Sequence, residues 1–158
     1  MKVSSNEMQL VTFRLGSEEY GINIMQVQEI IRLPAIVWVP KAPLFVEGVI
    51  NLREQVIPVI DLAKRLDVSS RGRTDDTRVV IANIQGNLVG LVVDSVSEVM
   101  RIGAEDIEPL PEIMRSSNER CLKGIAKLDD RLIILLNLEN ALSDDEILKL
   151  QEAVDTLS

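Results

Sequence analysis

The stretch that decides the fold is Gly48-Val-Ile-Asn-Leu-Arg-Glu-Gln-Val-Ile-Pro-Val-Ile-Asp-Leu-Ala-Lys-Arg-Leu66. Two apolar runs flank the polar residues 53–55, a pattern typical of two short strands joined by a tight turn, and a turn of helix over 62–66 follows. The pattern returns 76 residues later at Gly124–Leu142, where the residues at the apolar positions are identical or similar. The tip differs, with Arg53-Glu54 in the first copy and Asp129-Asp130 in the second. A repeated frame with an unrepeated tip predicts a duplicated scaffold whose function lies on one copy.

A second repeat supports the duplication. The hairpin pattern of 78–93 matches that of 8–24 at an offset of 69 residues, so we expect a seven-residue insertion within 112–120. Two copies of about 70 residues, each with about five short strands, predict two small β-barrels. We expect 25–33 to be extended and 43–47 to form one helical turn. Ser143-Asp-Asp-Glu146 is a capping box, so a helix should follow and dock its apolar face on the second barrel.

Composition excludes several function classes. The net charge of −8 argues against nucleic acid or an anionic membrane as the main partner. The chain has no histidine and one cysteine, which excludes His-dependent catalytic triads, His-containing zinc sites and an intramolecular disulfide. The N-terminus has no signal-peptide pattern and no apolar run would span a bilayer, so we expect a cytoplasmic protein. No motif for a cofactor or metal stands out, so we expect neither.

Two polar features interrupt the apolar pattern. Arg53 lies between two apolar runs with Asn51 nearby, and it is either an ordinary solvated turn arginine or a binding group. Glu29 follows Gln28 between Val27 and Ile30, and it is either an outward-facing strand position or part of the same site.

The strings Gly48-Val-Ile-Asn-Leu-Arg53, Pro58-Val-Ile-Asp-Leu62, Val27-Gln-Glu-Ile30 and Val92-Val-Asp94 resemble the CheW family of bacterial chemotaxis coupling proteins. The resemblance runs from about residue 8 to 154. It implies one CheW-like domain over 7–158, an all-β fold of two intertwined five-stranded SH3-like β-barrels with a C-terminal α-helix. Carried over, barrel one is about 19–86, barrel two is about 7–18 plus 87–142, and the helix is about 143–156.

The resemblance also implies a non-enzymatic adaptor recruited to membrane-associated receptor arrays without direct membrane contact. Its partners would be the cytoplasmic tips of chemoreceptors (methyl-accepting chemotaxis proteins) and the regulatory domain of the histidine kinase CheA. The implied receptor-facing residues are Val27, Glu29, Asn51, Leu52, Arg53 and Val99, and the implied kinase-facing residues are Glu47, Gly48 and Ile113. Glu54 stands where the family usually has glycine, and because glutamate adopts a positive φ poorly, we expect a reshaped turn.

Two other interpretations stay open at this point. The chain is a CheW-like regulatory module of a larger protein, either a kinase or a CheV-type protein, or it is a metal-dependent enzyme that uses paired carboxylates. The candidate carboxylate pairs are Asp75-Asp76, Asp129-Asp130 and Asp144-Asp145-Glu146.

Overall fold

The computed structural model describes residues 7–40, 42–110 and 121–157 of the chain. The strands and helices of this part are β1 Met8–Leu15, β2 Glu18–Asn23, β3 Val27–Arg32, β4 Val46–Leu52, β5 Gln55–Asp61, α1 Leu62–Leu66, β6 Arg78–Ile84, β7 Asn87–Val93, β8 Ser95–Ile102, β9 Ile107–Glu108, β10 Leu122–Leu128, β11 Arg131–Leu136 and α2 Asp144–Leu157. Short 3-10 turns lie at Ile24–Gln26, Ala104–Asp106 and Leu138–Asn140. The predicted strands 8–15 and 78–84 and the helical turn 62–66 are confirmed. In place of the predicted helical turn at 43–47 there is a single hydrogen-bonded turn, in which Val46 N donates to Pro43 O at 2.9 Å, and β4 begins at Val46.

The strands form two sheets that exchange their hairpins. The five-stranded sheet has the order β3-β6-β7-β5-β4, and the six-stranded sheet has the order β8-β1-β2-β11-β10-β9. The β1–β2 hairpin of the first repeat is thus inserted between β8 and β11 of the second, and β6–β7 is inserted between β3 and β5 of the first. This exchange is reciprocal. The second strand of each inserted hairpin pairs in parallel with a strand of the other repeat: β2 pairs with β11, and β7 pairs with β5. The predicted all-β fold of two intertwined SH3-like barrels with a C-terminal helix is confirmed.

The pairings correct the boundaries expected between the barrels. The resemblance places residues 19–23 in barrel one, but β2 pairs with β1 and β11 of barrel two. It places residues 87–93 in barrel two, but β7 pairs with β6 and β5 of barrel one. Hairpin strands joined by a short turn stay hydrogen-bonded along their length, so a hairpin changes sheets as a unit. By its strands, barrel one is 27–93 and barrel two is 8–23 plus 95–136.

Within the part of the chain that the structure describes, three buried clusters make up the core, and the largest is shared by both barrels. Alternate residues of an inserted hairpin serve different clusters, since successive side chains point to opposite faces. Val79 and Ile81 lie in the cluster of barrel one, whereas Val80 and Ala82 lie in the shared cluster. Both faces of these strands are therefore buried, which explains their continuous apolar runs. The shared cluster fixes the barrels together, because a large apolar interface disfavours relative motion.

Helix α2 begins with the expected capping box. Glu146 N donates to Ser143 Oγ at 3.1 Å, and Ser143 N donates to a Glu146 carboxylate oxygen at 2.8 Å. The expected docking on the second barrel is wrong, because α2 packs along β5 of barrel one. Ile147 and Leu150 are buried in the shared cluster. Arg65 of α1 pairs with Glu146 at 3.2 Å, which holds the start of the helix against the same barrel.

Candidate functional site

The tip of the β4–β5 hairpin keeps a tight two-residue turn. Leu52 pairs with Gln55 across the strands, and Arg53 and Glu54 between them have φ of 51° and 68°. Positive φ at both central residues is the pattern of a type I′ turn, whose twist matches that of the flanking strands. The turn that contains Glu54 is therefore a regular two-residue hairpin turn. The register of two well-paired strands holds a glutamate where glycine would be less strained.

The turn places the Arg53 guanidinium against Glu29 of β3. The two Nη atoms donate to the two carboxylate oxygens, at 2.5 and 2.9 Å. Such a two-pronged geometry fixes the plane of the guanidinium as well as its position. The exposed fraction is 72% for the Arg53 side chain and 21% for the Glu29 side chain. The arginine is thus presented to solvent in a defined orientation by a carboxylate that lies beneath it.

The other residues expected to face a receptor lie around this pair and on the second barrel. Val27 precedes Glu29 on β3 and is half-buried against the shared cluster. Leu52 is half-buried against the cluster of barrel one, and Asn51 is exposed. Val99 lies on β8 in the other sheet, opposite Val11, and is 51% exposed. Of these residues, the structure brings Glu29 and Arg53 into contact, and the Arg53 guanidinium hydrogen-bonds to Glu29.

A related ion pair on barrel two was missed from the sequence. Arg131, at the start of β11, donates to both carboxylate oxygens of Glu19, at 3.3 and 2.7 Å, and to Glu98 at 3.2 Å. Glu19 is buried, with 7% of its side chain exposed. The hydrogen bonds to Glu19 raise the pKa of Arg131 against the opposing effect of burial. Glu98 is the repeat counterpart of Glu29, so the repeat was the signal that would have led to this site.

The residues expected to face the kinase are engaged within the protein. Glu47 pairs with Lys64 of α1 and with Arg73, each at 3.2 Å. Gly48 is buried with φ of 146°, and a Cβ atom there would lie 2.1 Å from the carbonyl oxygen of Val37. Gly48 therefore lets the 33–45 loop approach β4, as the paired hydrogen bonds between Val37 and Val49 require. Ile113 lies outside the described residues.

The same loop presents apolar side chains to solvent. We call Val37, Trp38 and Leu44 the loop patch, and they are 58%, 71% and 94% exposed. Of these three residues, Val37 also lines a cavity of about 190 Å³, together with Val49, Ile50, Asn51 and Val56. Large apolar side chains that are exposed to solvent are candidates for a protein-binding surface. The sequence predicted a loop at Trp38 but not its exposure.

Comparison with known proteins identifies the family. The model of the CheW-like domain matches residues 9–146. The chain belongs to the CheW-like family. A probable chemotaxis protein CheW of Rhizobium etli is 36% identical over 144 residues, 91% of this chain and 93% of that protein. The chemotaxis protein CheW of Klebsiella aerogenes is 37% identical over 88% of this chain and 84% of its own length.

A solved structure carries the same fold. The scaffolding protein TtCheW of Thermoanaerobacter tengcongensis matches with a TM-score of 0.80 and 39% identity, over 88% of this chain and 94% of that one. Members of the family are scaffolds of chemotaxis signalling. Among residues 7–40, 42–110 and 121–157, no cluster of acidic or cysteine side chains has a metal-binding arrangement, and no helix is long and apolar enough to cross a membrane.

Proposed function

We propose that the protein is a non-enzymatic adaptor that couples the cytoplasmic tips of chemoreceptors to the regulatory domain of the histidine kinase CheA. Membership of the CheW-like family supports the proposal, and the observation that carries it is the exposed Arg53 guanidinium held by Glu29. The alternative of a carboxylate-based metalloenzyme has no support from the described residues. The adaptor works in the cytoplasm and reaches the membrane only through its partners.

Arg53 is the anchor for the receptor. A guanidinium with defined orientation is suited to bind a carbonyl or carboxylate at the end of a helical hairpin. Val27, Leu52 and Val99 supply apolar surface for the side chains of such a helix. One charged hydrogen bond that is desolvated contributes about 1.5–3 kcal/mol, which corresponds to roughly tenfold to a hundredfold in affinity.

The test is the affinity of Arg53→Ala for a receptor cytoplasmic fragment. We expect a loss of at least about tenfold, with the free energy of unfolding changed by less than about 0.5 kcal/mol, since the ion pair is exposed. Lys149→Ala is the matched control, because Lys149 is also an exposed cation in a surface ion pair, 3.3 Å from Asp145. Unchanged receptor affinity in Arg53→Ala would make Arg53 only a turn residue.

The kinase contact uses the ends of the barrels. On barrel one this is the end with Glu47 and Gly48, where the loop patch adds apolar surface of the kind that pairs with a similar barrel. On barrel two it is the neighbourhood of Ile113. Burial of an aromatic side chain is the commonest anchor of such contacts, which gives Trp38 the largest share on barrel one.

Separate surfaces for the two partners are tested by two substitutions. Trp38→Asp and Ile113→Asp should each weaken binding of the kinase regulatory domain and leave binding of the receptor fragment unchanged. Leu148→Asp is the control, because Leu148 is likewise an exposed apolar residue, 53% exposed, but lies on α2. Loss of both partners in the same variant, with the fold intact, would contradict separate surfaces.

A further inference from the structure

Asp94 is a buried carboxylate that neither proposed binding surface uses. It is the single residue between β7 of barrel one and β8 of barrel two, and the residue is 7% exposed. Its carboxylate accepts hydrogen bonds from Gly16 N at 2.7 Å, Ser70 Oγ at 2.6 Å and Arg71 N at 2.8 Å. A buried carboxylate with three donors is fully engaged and holds whatever segments the donors belong to.

Those donors belong to two different parts of the chain. Gly16 is in the β1–β2 turn of barrel two, whereas Ser70 and Arg71 are in residues 67–77, the strap that joins α1 to β6. The strap also lies directly on the turn, since a Cβ atom at Gly16 would lie 2.8 Å from the carbonyl oxygen of Ser69. Burial alone would raise the pKa of Asp94, but the three hydrogen bonds and the charge of Arg71 outweigh burial and lower it. The carboxylate is therefore ionised as it holds the strap.

The far end of the strap carries a second attachment. Arg73 Nη2 lies 3.2 Å from a carboxylate oxygen of Glu47 and 3.4 Å from one of Asp61. Glu47 is on β4 at the barrel-one end to which we assign the kinase contact. Arg73 is 36% exposed, and an exposed ion pair by itself contributes little, because ordering two long side chains offsets most of the attraction.

The hydrogen bonds of Asp94 to the strap, which we call the clamp, reduce the entropy cost of forming the Arg73–Glu47 ion pair. Two residues of extended chain span about 7 Å, so fixing Arg71 confines Arg73 to the neighbourhood of Glu47. Much of the backbone entropy needed to bring the guanidinium to Glu47 is then lost when the strap is clamped, whether or not the ion pair forms. The two attachments act in series: the clamp at Asp94 determines how large a fraction of the time Arg73 is paired with Glu47.

We propose that Asp94 and Arg73 are positioning residues for the kinase-facing end, Asp94 by clamping the strap and Arg73 by holding Glu47 in place. This inference rests on the proposed kinase contact. Neither residue needs to touch the kinase. Release of either leaves Glu47 with Lys64 as its remaining partner and lets its carboxylate move over the surface that the kinase must match.

The experiment measures binding of the full chain to the kinase regulatory domain and, separately, to the receptor fragment. Asp94→Asn keeps the size of the side chain and removes its charge, and Arg73→Gln releases Glu47. Each should weaken kinase binding by about fivefold, the size of one ordered surface ion pair, and leave receptor binding within about twofold. The double variant should be no weaker than the weaker single variant, because the residues act in series. Ser70→Ala, which removes one of the three donors, should show a smaller loss in the same direction.

Asp75→Asn is the control, since it removes one exposed charge from the same strap, and its side chain makes neither attachment. Equal losses for both partners in Asp94→Asn, additive losses in the double variant, or no loss at all would overturn the proposal. If the unsubstituted protein fails to bind the kinase domain, the proposed function is wrong. Whether Asp94 clamps the strap is then tested on the protein without a partner. Nuclear magnetic resonance should find faster amide exchange at Arg71 and greater mobility of the Arg73 guanidinium in Asp94→Asn. An Arg73 signal unchanged by that substitution would overturn the serial clamp.

Discussion

The two barrels carry the same acid on the same strand, and they pair it in different ways. Glu29 of β3 and Glu98 of β8 are repeat counterparts, and each bonds to an arginine of the hairpin that follows it in its own repeat. On barrel one the arginine is Arg53, at the tip of the turn and 72% exposed. On barrel two it is Arg131, one position beyond the turn and 39% exposed, with the buried Glu19 as its main partner.

A shift of two residues therefore separates a binding group from a structural one. Little free energy is lost when Arg53 binds a new partner, since its ion pair with Glu29 is exposed and screened by water. Arg131 compensates a carboxylate that has lost most of its hydration, and its removal would leave that charge unpaired. The duplication gave both barrels the same strands and hairpins. The position of the arginine relative to the turn determines which barrel presents an arginine that is able to bind a partner.

The largest effect on stability is expected for Arg131→Ala. The substitution leaves Glu19 buried without its cation, which should lower the free energy of unfolding by about 1–2 kcal/mol once the partial exposure of Arg131 is taken into account. Urea denaturation at neutral pH measures the loss, with Arg53→Ala as the matched variant on barrel one. Equal decreases in the free energy of unfolding of the two variants would mean that the two arginines do not differ in structural role.

The sequence predicted the strands and helices better than it predicted which of them pack together. The apolar periodicity of 8–15, 55–61 and 78–84 is local information, and it predicted those strands well. The exchange of hairpins is not local, because the apolar pattern of β2 or of β7 does not specify which sheet its hairpin joins. The prediction that α2 docks on barrel two failed for the same reason, since an amphipathic helix specifies an apolar partner but not which one.

The candidate site divides in the same way. Arg53 and Glu29 stood out because each interrupts an apolar run, and the family resemblance placed them in one group. Their contact joins residues 24 positions apart, on strands β3 and β4–β5 that are not neighbours in the sheet, so no spacing in the sequence predicts it. The loop patch was missed because exposure of Trp38 depends on how the 33–45 loop crosses Gly48.

A smaller effect is expected at the tip itself, from Glu54→Gly. The residue has φ of 68°, where glycine is less strained than glutamate, so the free energy of unfolding should rise by about 0.5–1 kcal/mol. Asp130→Gly is the matched control on barrel two, since Asp129 but not Asp130 has a positive φ, and it should lower stability. Thermal and urea unfolding of both variants decide the question. A loss of stability in Glu54→Gly would mean that the Glu54 side chain has a stabilising contact that outweighs the strain.

The smallest effect is expected for the acids shared by the two barrels. Glu29→Gln and Glu98→Gln each weaken an exposed ion pair, so each should change the free energy of unfolding by less than about 0.5 kcal/mol. Their consequences for the arginines should nevertheless differ. Glu29→Gln removes the charged partner of Arg53, whereas Arg131 keeps Glu19 when Glu98 is replaced.

Relaxation of the arginine side-chain nitrogens separates the two cases. The Arg53 guanidinium should become mobile in Glu29→Gln, and the Arg131 guanidinium should stay ordered in Glu98→Gln. Equal mobility in both variants would mean that Glu19 does not hold Arg131 by itself, and the second copy would then carry a latent binding site of the same kind as the first. Equal order in both would mean that the Arg53 turn is rigid without Glu29, because its backbone alone fixes the direction of the side chain.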